Sequence, residues 1–496
     1  MSLFSFVNKD GKESNSASDS DVKQQAAVDG DKSLDMAPPK AKSLRDTYVK
    51  GDLISNNSAT NNHPTHEHNS SIDVPLNSNS IAPQPIDVKS TGLSENLLVS
   101  LLLKHLNLSG VLTIRQLSQK LCLPGVIVQT LIDKAKHQTY VENMASNERQ
   151  QMRYALSSIG QLMAEKELLK NGYIGPAPVP IAQYTNICLQ QSSRKHVVTL
   201  AELNNVFADI NFSQDLLEKV GPSLNSNKPI LIYGEAGTGK SYFCRHLNMV
   251  FGDEVLIPYA LEVNSEVIQV FDPEIHHKIE DASNHKILKI AESFDQRWIK
   301  CTRPLVVSGG ELTEQMLEVR FDSDSKTYQA PLQLKANNGI LLLDDLGRQK
   351  ISPKALFNRW IIPLEERVDY LALQSGQHFE IPFELVMLFS TNLSPTDLVD
   401  DAFLRRLGYK INFTPLSKEL YQSVWFNECI TTNLKCELSL FEYLVDHLHK
   451  MHGKKFLPCY PRDLTSIISD QIKFKQLDSE VTKELLDFAW HSYFVK

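Results

Sequence analysis

The sequence predicts an α/β fold: a phosphate-binding loop on a parallel sheet, a C-terminal helical lid, and a smaller domain in front. Three stretches of the 496 residues carry that prediction. The first, Gly234-Glu235-Ala236-Gly237-Thr238-Gly239-Lys240-Ser241, matches GxxxxGK[ST] in full. The second, Gly339-Ile340-Leu341-Leu342-Leu343-Asp344-Asp345, is an apolar run that ends in two carboxylates. The third, Leu385-Val386-Met387-Leu388-Phe389-Ser390-Thr391-Asn392, is a strand-like run ending in a polar side chain.

The glycines of the first stretch let successive backbone N–H groups point into one concavity. Lys240 then reaches the β- and γ-phosphates, and the Ser241 hydroxyl ligates Mg²⁺. Before the loop, Ile230-Leu231-Ile232-Tyr233 suits a buried parallel strand; after it, Tyr242 to Val250 reads as a helix whose N-terminus faces the phosphates. A bound nucleoside triphosphate is the expectation. In the second stretch, a strand buried on both faces presents Asp344 to the magnesium and places Asp345 to orient or deprotonate an attacking water. In the third, Asn392 stands where a γ-phosphate would be sensed.

Composition bounds the rest. A hydrophobic content of 42% and a charged content of 22% are ordinary for a globular protein. No run of 18 apolar residues and no signal-peptide order appears, so we expect a cytoplasmic protein without membrane contact. The formal net charge of -8 argues against a chain wrapped mainly in nucleic acid. Seven cysteines, odd in number and without a CxxC pair, read as reduced residues rather than a disulfide or zinc framework.

Residues 1–90 are rich in Ser, Asn, Asp and Pro without apolar periodicity, and read as a disordered tail. Its His63, His66 and His68 suit a solvated polar segment better than a metal tract. A compact domain follows over 91–170. Ser94 caps a helix with Leu97, Leu98, Leu101 and Leu102 on one face; a second helix starts from Thr113, and a third has Pro124 at its first position and runs to about Lys136. Tyr140 to Glu142 and Arg153 to Leu156 read as a hairpin, and a helix from Ser158 to Leu169 closes the unit. This order resembles a winged-helix domain. Its third helix offers Gln129, Thr130, Lys134 and Lys136 with Asp133 among them, few cations for phosphate neutralisation, which favours protein docking over DNA.

Residues 171–199 read as a linker, stiffened by the prolines of Gly172 to Pro180. Residues 200–415 form the α/β core and 416–496 the helical lid. The core opens with a helix from Leu200 to Val220, bearing Leu203, Val206, Phe207 and Ile210; it is either the lid of an adenine pocket or plain packing. Hairpins are expected over Ile257 to Phe271, around Asn264-Ser265, and for Leu317 to Phe321 with Lys326 to Ala330. A third pairs Tyr370-Leu371-Ala372-Leu373 with His378-Phe379-Glu380-Ile381. His276, His277 and His285 fit no metal spacing and read as surface residues. Asp401-Ala402-Phe403-Leu404-Arg405-Arg406 ends a helix with two guanidiniums, either solvated or offered to a neighbouring subunit. In the lid, with turns near Asn433, Lys454 and Asp478, Cys459-Tyr460-Pro461-Arg462-Asp463-Leu464 starts a helix from which Arg462 could reach back to the nucleotide.

As a set these motifs resemble the P-loop NTPases of the AAA+ class over about Leu200 to Lys496. The resemblance implies ATP and Mg²⁺ as cofactors. It makes Lys240 and Ser241 the phosphate and magnesium ligands, Asp344 the magnesium carboxylate and Asp345 the catalytic carboxylate. Asn392 becomes the first sensor, Arg405 or Arg406 the arginine finger and Arg462 the second sensor. The hairpins before the second and third stretches are similar to the branch with MoxR-type chaperones, magnesium chelatase subunits and enhancer-binding activators. Two departures stand out: Asp345 replaces the usual glutamate, one methylene shorter, and the activators' GAFTGA loop is absent.

Three functions follow as expectations. The first is an ATP-hydrolysing homo-oligomer, a hexameric ring by resemblance, that remodels a protein client. The second is an ATP-dependent DNA-associated regulator or loader reading through the winged helix. The third, suggested by Asp345, is a nucleotide-gated scaffold with little turnover.

Overall fold

The computed structural model describes residues 81–145, 151–208, 212–279, 294–398 and 400–494. Residues 1–80, with the three tail histidines, lie outside them, as do Ile210 and His285. The last ten residues assigned to the tail are packed rather than disordered. Ala82 is fully buried and its carbonyl accepts from the Asp295 N–H at 2.9 Å, Pro83 bridges Phe294, and Asp87 and Ser90 close a turn on each other.

Helix α1 (Glu95–Ser109) starts where the Ser94 hydroxyl accepts from the Leu97 N–H. Strand β1 (Leu112–Thr113) leads into α2 (Ile114–Leu121), which opens on a reciprocal capping box between Thr113 and Gln116. In α3 (Gly125–His137), Pro124 takes the N-cap, one place earlier than expected. Strands β2 (Val141–Met144) and β3 (Arg153–Leu156) pair antiparallel, and β1 completes a three-stranded sheet in the order β1–β3–β2. Helix α4 (Ser158–Lys170), capped by Ser157, follows. Leu98, Leu102, Leu117, Leu121, Val128 and Ile132 form the core of this unit.

The expected linker is a packed seam. The Gly172 N–H donates to the Lys326 carbonyl, the Ala177 N–H donates to the Leu121 carbonyl, and Tyr173 is buried. Strand β4 (Val179–Pro180) pairs in parallel with Leu261 and Glu262. Helix α5 (Ile181–Gln190) follows, burying Tyr184, Ile187 and Cys188. Prolines fix the backbone here, yet apolar side chains between them have a core to enter, so the segment serves as packing rather than as a spacer.

The helix expected over Leu200 to Val220 is two helices, α6 (Leu200–Val206) and α7 (Gln214–Asn225). Thr199 caps the first with a Glu202 capping box and Ser213 caps the second, so the sequence carried a second start signal inside the span. Then come β5 (Ile230–Gly234), α8 (Lys240–His246), β6 (Glu254–Pro258), β7 (Ala260–Val263), β8 (Glu266–Gln269), β9 (Trp298–Thr302) and β10 (Leu305–Ser308). After β11 (Arg320–Asp322), β12 (Thr327–Gln329) and β13 (Ile340–Leu343) the chain forms α9 (Pro353–Glu366), β14 (Val368–Ala372), β15 (His378–Pro382) and β16 (Val386–Thr391). The short α10 (Asp401–Leu404) precedes β17 (Tyr409–Phe413).

The central sheet is parallel throughout, in the order β10–β13–β16–β5–β17. Apolar clusters lie on both faces, so all four residues of β13 are fully buried, which is why that strand reads as unbroken Ile-Leu-Leu-Leu. This is the α/β architecture the three stretches predicted. A second, mixed sheet runs β11–β12–β8–β7–β4. Its β7–β8 hairpin turns at Asn264 and Ser265, both with positive φ (52° and 71°), as a two-residue turn between twisted strands requires. The 370–381 hairpin is β14–β15, and the 317–330 hairpin is shorter than expected because Glu314–Leu317 is a 3₁₀ turn. The β6–β9 ribbon was not foreseen, its strands being far apart in the chain. His276 is a correction: it is buried, with Nδ1 accepting from the Asp272 N–H and Nε2 donating to the Lys335 carbonyl. Burial lowers its pKa. His277 is exposed, as expected.

Helices α11 (Lys418–Thr431), α12 (Leu438–Glu442), α13 (Cys459–Lys475) and α14 (Lys483–Tyr493) form the C-terminal bundle around Trp425, Phe441, Leu464 and Trp490. A turn of π-helix, Tyr443–His449, brings His449 inside. Its Nε2 accepts from the Tyr421 hydroxyl at 3.0 Å and its Nδ1 donates to the Lys454 carbonyl at 3.1 Å. Among the described residues no helix is long and apolar enough to cross a membrane.

Two outcomes are expected from this packing. Burial pulls the His449 pKa from 6.5 to about 4, so the unfolded chain binds the proton more readily than the folded one. That contributes on the order of 3 kcal/mol at neutral pH, lost as the pH falls through 6.5 toward 4. Urea melts followed by tryptophan fluorescence at pH 7 and pH 5 should show it, and His449→Gln should flatten the difference. Arg297 and Asp295, an ion pair with both side chains 0% exposed, hold Thr91 and Pro178 through the guanidinium. Arg297→Met strands Asp295 and should cost about 3–5 kcal/mol in the same melts.

Candidate functional site

The C-terminal ends of β5, β13 and β16 lie side by side, because β16 sits between the other two with Leu343 opposite Phe389 and Thr391 opposite Tyr233. The first residues beyond each strand therefore meet. The loop from Gly234 to Gly239 rises from β5, with φ of 141° at Gly234, 84° at Gly237 and 87° at Gly239. A Cβ at Gly237 would lie 2.6 Å from the Cys459 sulfur, so close approach as well as conformation demands glycine there.

Lys240, 5% exposed, opens α8 and turns its ammonium back under the loop. It donates to the carbonyls of Gly234 (2.9 Å) and Glu235 (2.8 Å) and to Asn392 Oδ1 (2.7 Å). Burial lowers its pKa, and the charges of Asp345 and Asp344 partly restore it. Ser241 Oγ donates to Asp344 Oδ1 at 2.8 Å. Asn392 Nδ2 donates to Asp345 Oδ1 at 2.9 Å, so one amide joins the lysine to the second carboxylate. Asp345 adopts φ 50°, a left-handed turn that brings it away from the strand line of Asp344. Thr238 Oγ1 donates to the Glu235 carbonyl, and Ala236 lies at the open lip of the loop.

Residues Ala236 to Ser241, Asp345 and Asn392 line a cleft of about 1020 Å³ between the C-terminal ends of the strands and the C-terminal bundle, with Asp344 behind Ser241 rather than in the lining. Phe212 and Leu216 form one wall, Leu420 and Val424 of α11 another, and Arg462 of α13 also lines it. The Arg462 side chain is 71% exposed and pairs with its neighbour Asp463. Arg405 and Arg406 are not among the lining residues. Arg406 donates to Glu365 Oε1 at 2.6 Å; Arg405 is exposed and makes no side-chain hydrogen bond or ion pair among the described residues.

The donor set fits a metal-bound triphosphate. The glycine-rich turn leaves backbone room that any side chain would fill, an ammonium lies beneath it, and a hydroxyl and a carboxylate oxygen within 2.8 Å of each other suit a hard cation. Sequence reasoning missed three supports. Gln349 Nε2 donates to the Asp344 carbonyl, Thr391 Oγ1 donates to the Leu346 carbonyl, and Lys455 of the bundle pairs with Glu235 of the loop. None stands at a fixed motif position, so spacing gave no signal for them.

A domain of unknown function, DUF8689, matches residues 417–492, the C-terminal bundle. The search among curated proteins finds no match. Among solved structures, the Thermotoga maritima RuvB Holliday junction branch migration motor is similar at 10% identity and a TM-score of 0.33, over 57% of this chain and 70% of that one. NtrX from Brucella abortus is similar at 14% identity and a TM-score of 0.35, over 66% of this chain and 60% of that one. A point mutant of the same Thermotoga motor gives 10% identity and 0.34, over 57% and 69%. Likenesses this distant carry no argument about function, and the geometry has to supply it.

The Glu235–Lys455 pair is half exposed on both sides, so its loss should move overall stability by less than about 1 kcal/mol. Glu235→Gln should instead raise amide hydrogen exchange over residues 454–460 with little change in melting temperature.

Proposed function

We propose that this chain is an ATP-binding and ATP-hydrolysing protein of the AAA+ kind that works as a homo-oligomeric ring and remodels a protein client. The observation that supports it most is the convergence of Lys240, Ser241, Asp344, Asp345 and Asn392, drawn from the ends of three strands, on one loop whose positive-φ positions are all glycines.

In this reading Ser241 and Asp344 would hold a magnesium ion, which would supply charge neutralisation of the phosphates when bound. Loop amides from Ala236 to Gly239 and the Lys240 ammonium bind the phosphates, giving preorganised donors where charge develops. Asp345 orients and deprotonates the attacking water from its turned-out position. Asn392, bonded to both Lys240 and Asp345, couples the phosphate end of the cleft to the base. Arg462, on the bundle, carries the second-sensor role, so that loss of phosphate is felt where α11 and α13 meet the loop. Arg405 is the better arginine finger of the two, since Arg406 is bonded to Glu365.

The hairpin before β16 and the second sheet favour the branch containing MoxR-type chaperones. For residues 91–170 we read the helix-strand-helix-helix-hairpin order as a winged helix serving as a protein-docking adaptor. Lys134 of α3 is paired with Glu95 and Lys136 lies 4.7 Å over the Tyr154 ring, so the helix has few cations to spare for phosphate. These interactions weigh against the DNA-loader reading.

Isothermal calorimetry and phosphate release test the proposal together. Wild type should give heat with MgATP and steady turnover, and Lys240→Ala should give neither. Arg405→Ala should keep the heat and lose about 10³-fold or more of the turnover, with Arg406→Ala changing it only a few-fold. Heat without turnover above the Lys240→Ala level in the wild type would instead support the gated-scaffold reading.

A further inference from the structure

A second cavity, of about 610 Å³, lies where the N-terminal unit meets the second sheet, and it shares no lining residue with the nucleotide cleft. Its volume is within the roughly 300–1,000 Å³ usual for small-molecule sites. Helix α1 supplies one side through Leu97, Ser100, Leu101 and Lys104, whose i, i+3, i+4, i+7 spacing puts them on one stripe. Helix α4 adds Met163, Glu167 and Lys170, and strand β8 adds Glu266 and Val267.

The four charges that line the cavity are not equivalent. Lys170 donates to Glu167 Oε1 at 2.6 Å and Ser100 Oγ donates to Glu167 Oε2 at 3.0 Å, so that carboxylate is already engaged within the protein. Lys104, 5% exposed, gives one of its three N–H donors to the Asn171 carbonyl at 2.6 Å and makes no other hydrogen bond or ion pair among the described residues. Glu266, half-buried, makes no side-chain hydrogen bond or ion pair among them either. The charge of Glu266 acts on Lys104, yet the two are not paired. The cavity is thus faced by one cation and one anion held apart, with apolar side chains beside them.

We infer that this cavity binds a free α-amino acid with an apolar side chain, its carboxylate on Lys104, its ammonium on Glu266, and its side chain against Leu97, Leu101, Met163 and Val267. The charges select the class. A phosphate or a dicarboxylate brings two negative charges to walls that already carry Glu167 and Glu266, and like charges brought together in a site are costly. A simple carboxylate satisfies Lys104 but meets Glu266 as a like charge; a simple amine satisfies Glu266 but meets Lys104 in the same way. A zwitterion supplies both partners at once. Folding has already taken the Lys104 ammonium out of water and left two of its donors unused, so an acceptor there replaces lost solvation instead of competing with it. Burial lowers the Lys104 pKa to about 8 against the opposing charges of Glu167 and Glu266, so at pH 7 the amine is mostly protonated and able to hold a carboxylate. Val267 belongs to the same apolar cluster as the leucines of α1, so the occupant bridges the N-terminal unit and the second sheet. The inference does not depend on the nucleotide reading.

Calorimetry on the full chain tests it with two sets of probes. L-leucine is compared with 4-methylpentanoate, which lacks the ammonium, and 3-methylbutylamine, which lacks the carboxylate; L-phenylalanine is compared with 3-phenylpropanoate and 2-phenylethylamine. The better of the two amino acids should bind saturably, and each of its truncated analogues about tenfold or more weakly. Glu266→Gln should abolish the preference for the amino acid over its carboxylate analogue with the melting temperature unchanged, because the Glu266 side chain is half-buried and unbonded. Lys104→Met should abolish the preference over the amine analogue; should that variant not fold, the analogue series and Glu266→Gln still decide the matter. Amide hydrogen exchange over residues 97–104 and 264–269 should slow when the amino acid is added. No saturable heat with either amino acid up to about 10 mM, analogues that bind as tightly as the amino acids, a preference that survives Glu266→Gln, or protection confined to the nucleotide cleft would each overturn the inference.

Discussion

The Lys240 ammonium is the point on which the cleft depends. Removing an amine from water is costly, and here two carbonyls and an amide oxygen accept from it while the charges of Asp345 and Asp344 oppose the effect of burial. That arrangement fixes the loop from below, fixes Asn392 at the end of β16, and through Asn392 fixes Asp345. None of these groups is adjacent in the chain to the others except through a strand. What brings them within bonding distance is the parallel register, which ends β5, β13 and β16 at one level. A slip of one residue in β16 would turn Asn392 to the other face of the sheet and disconnect the lysine from the carboxylate.

The opposite ends of the same strands are held by a different chemistry. Arg303, just before β10, donates to the carbonyls of Gln191 and Asn338; Asn338, just before β13, donates to the Cys188 carbonyl; and Glu384, just before β16, accepts from Ser192. Asn337 adds bonds to the Tyr184 hydroxyl and the Pro382 carbonyl. A buried polar group left without its partner costs about 1–3 kcal/mol, so these mutually satisfied side chains define how α5 meets the sheet. Arg297 does the same one layer out, where its guanidinium bonds the residues that enter and leave the N-terminal unit, Thr91 and Pro178. The segment 172–180 is therefore continuous in packing with what lies on both sides of it. The C-terminal bundle meets the loop through the exposed Lys455–Glu235 pair and through Leu457, Pro458 and Cys459, which lie against Gly237 and Gly239.

Much of this was legible in the residues. The helix starts read at Ser94 and Thr113 carry capping chemistry that acts locally, and each cap is formed. The Asn264-Ser265 turn was readable because two positive φ values favour few residue types. The misreadings share a cause. His276 lies in a polar stretch, and its burial is tolerable because the nearby Asp272 N–H satisfies one ring nitrogen and the carbonyl of Lys335, distant in sequence, the other. The 81–90 segment and the proline-rich seam lack periodicity, yet each finds a partner surface built from residues far along the chain, such as Phe294 and Asp295 for Ala82 and Pro83. Periodicity reports an element's own amphipathicity and is silent about irregular segments that others cover.

By itself the sequence determined the class of fold and the composition of the phosphate loop, because glycine conformations, a lysine and a hydroxyl at fixed spacing, and strands apolar on both faces are local requirements. It also supplied Asp344, Asp345 and Asn392 as candidates, each at the end of an apolar run. Tertiary structure alone decided that Asn392 bonds Lys240 and Asp345 at once, that Arg406 is engaged while Arg405 is exposed, and that the Trp425 indole donates to Cys436. Those are distances between side chains on separate elements, set by strand order and helix packing, and no spacing along the chain encodes them.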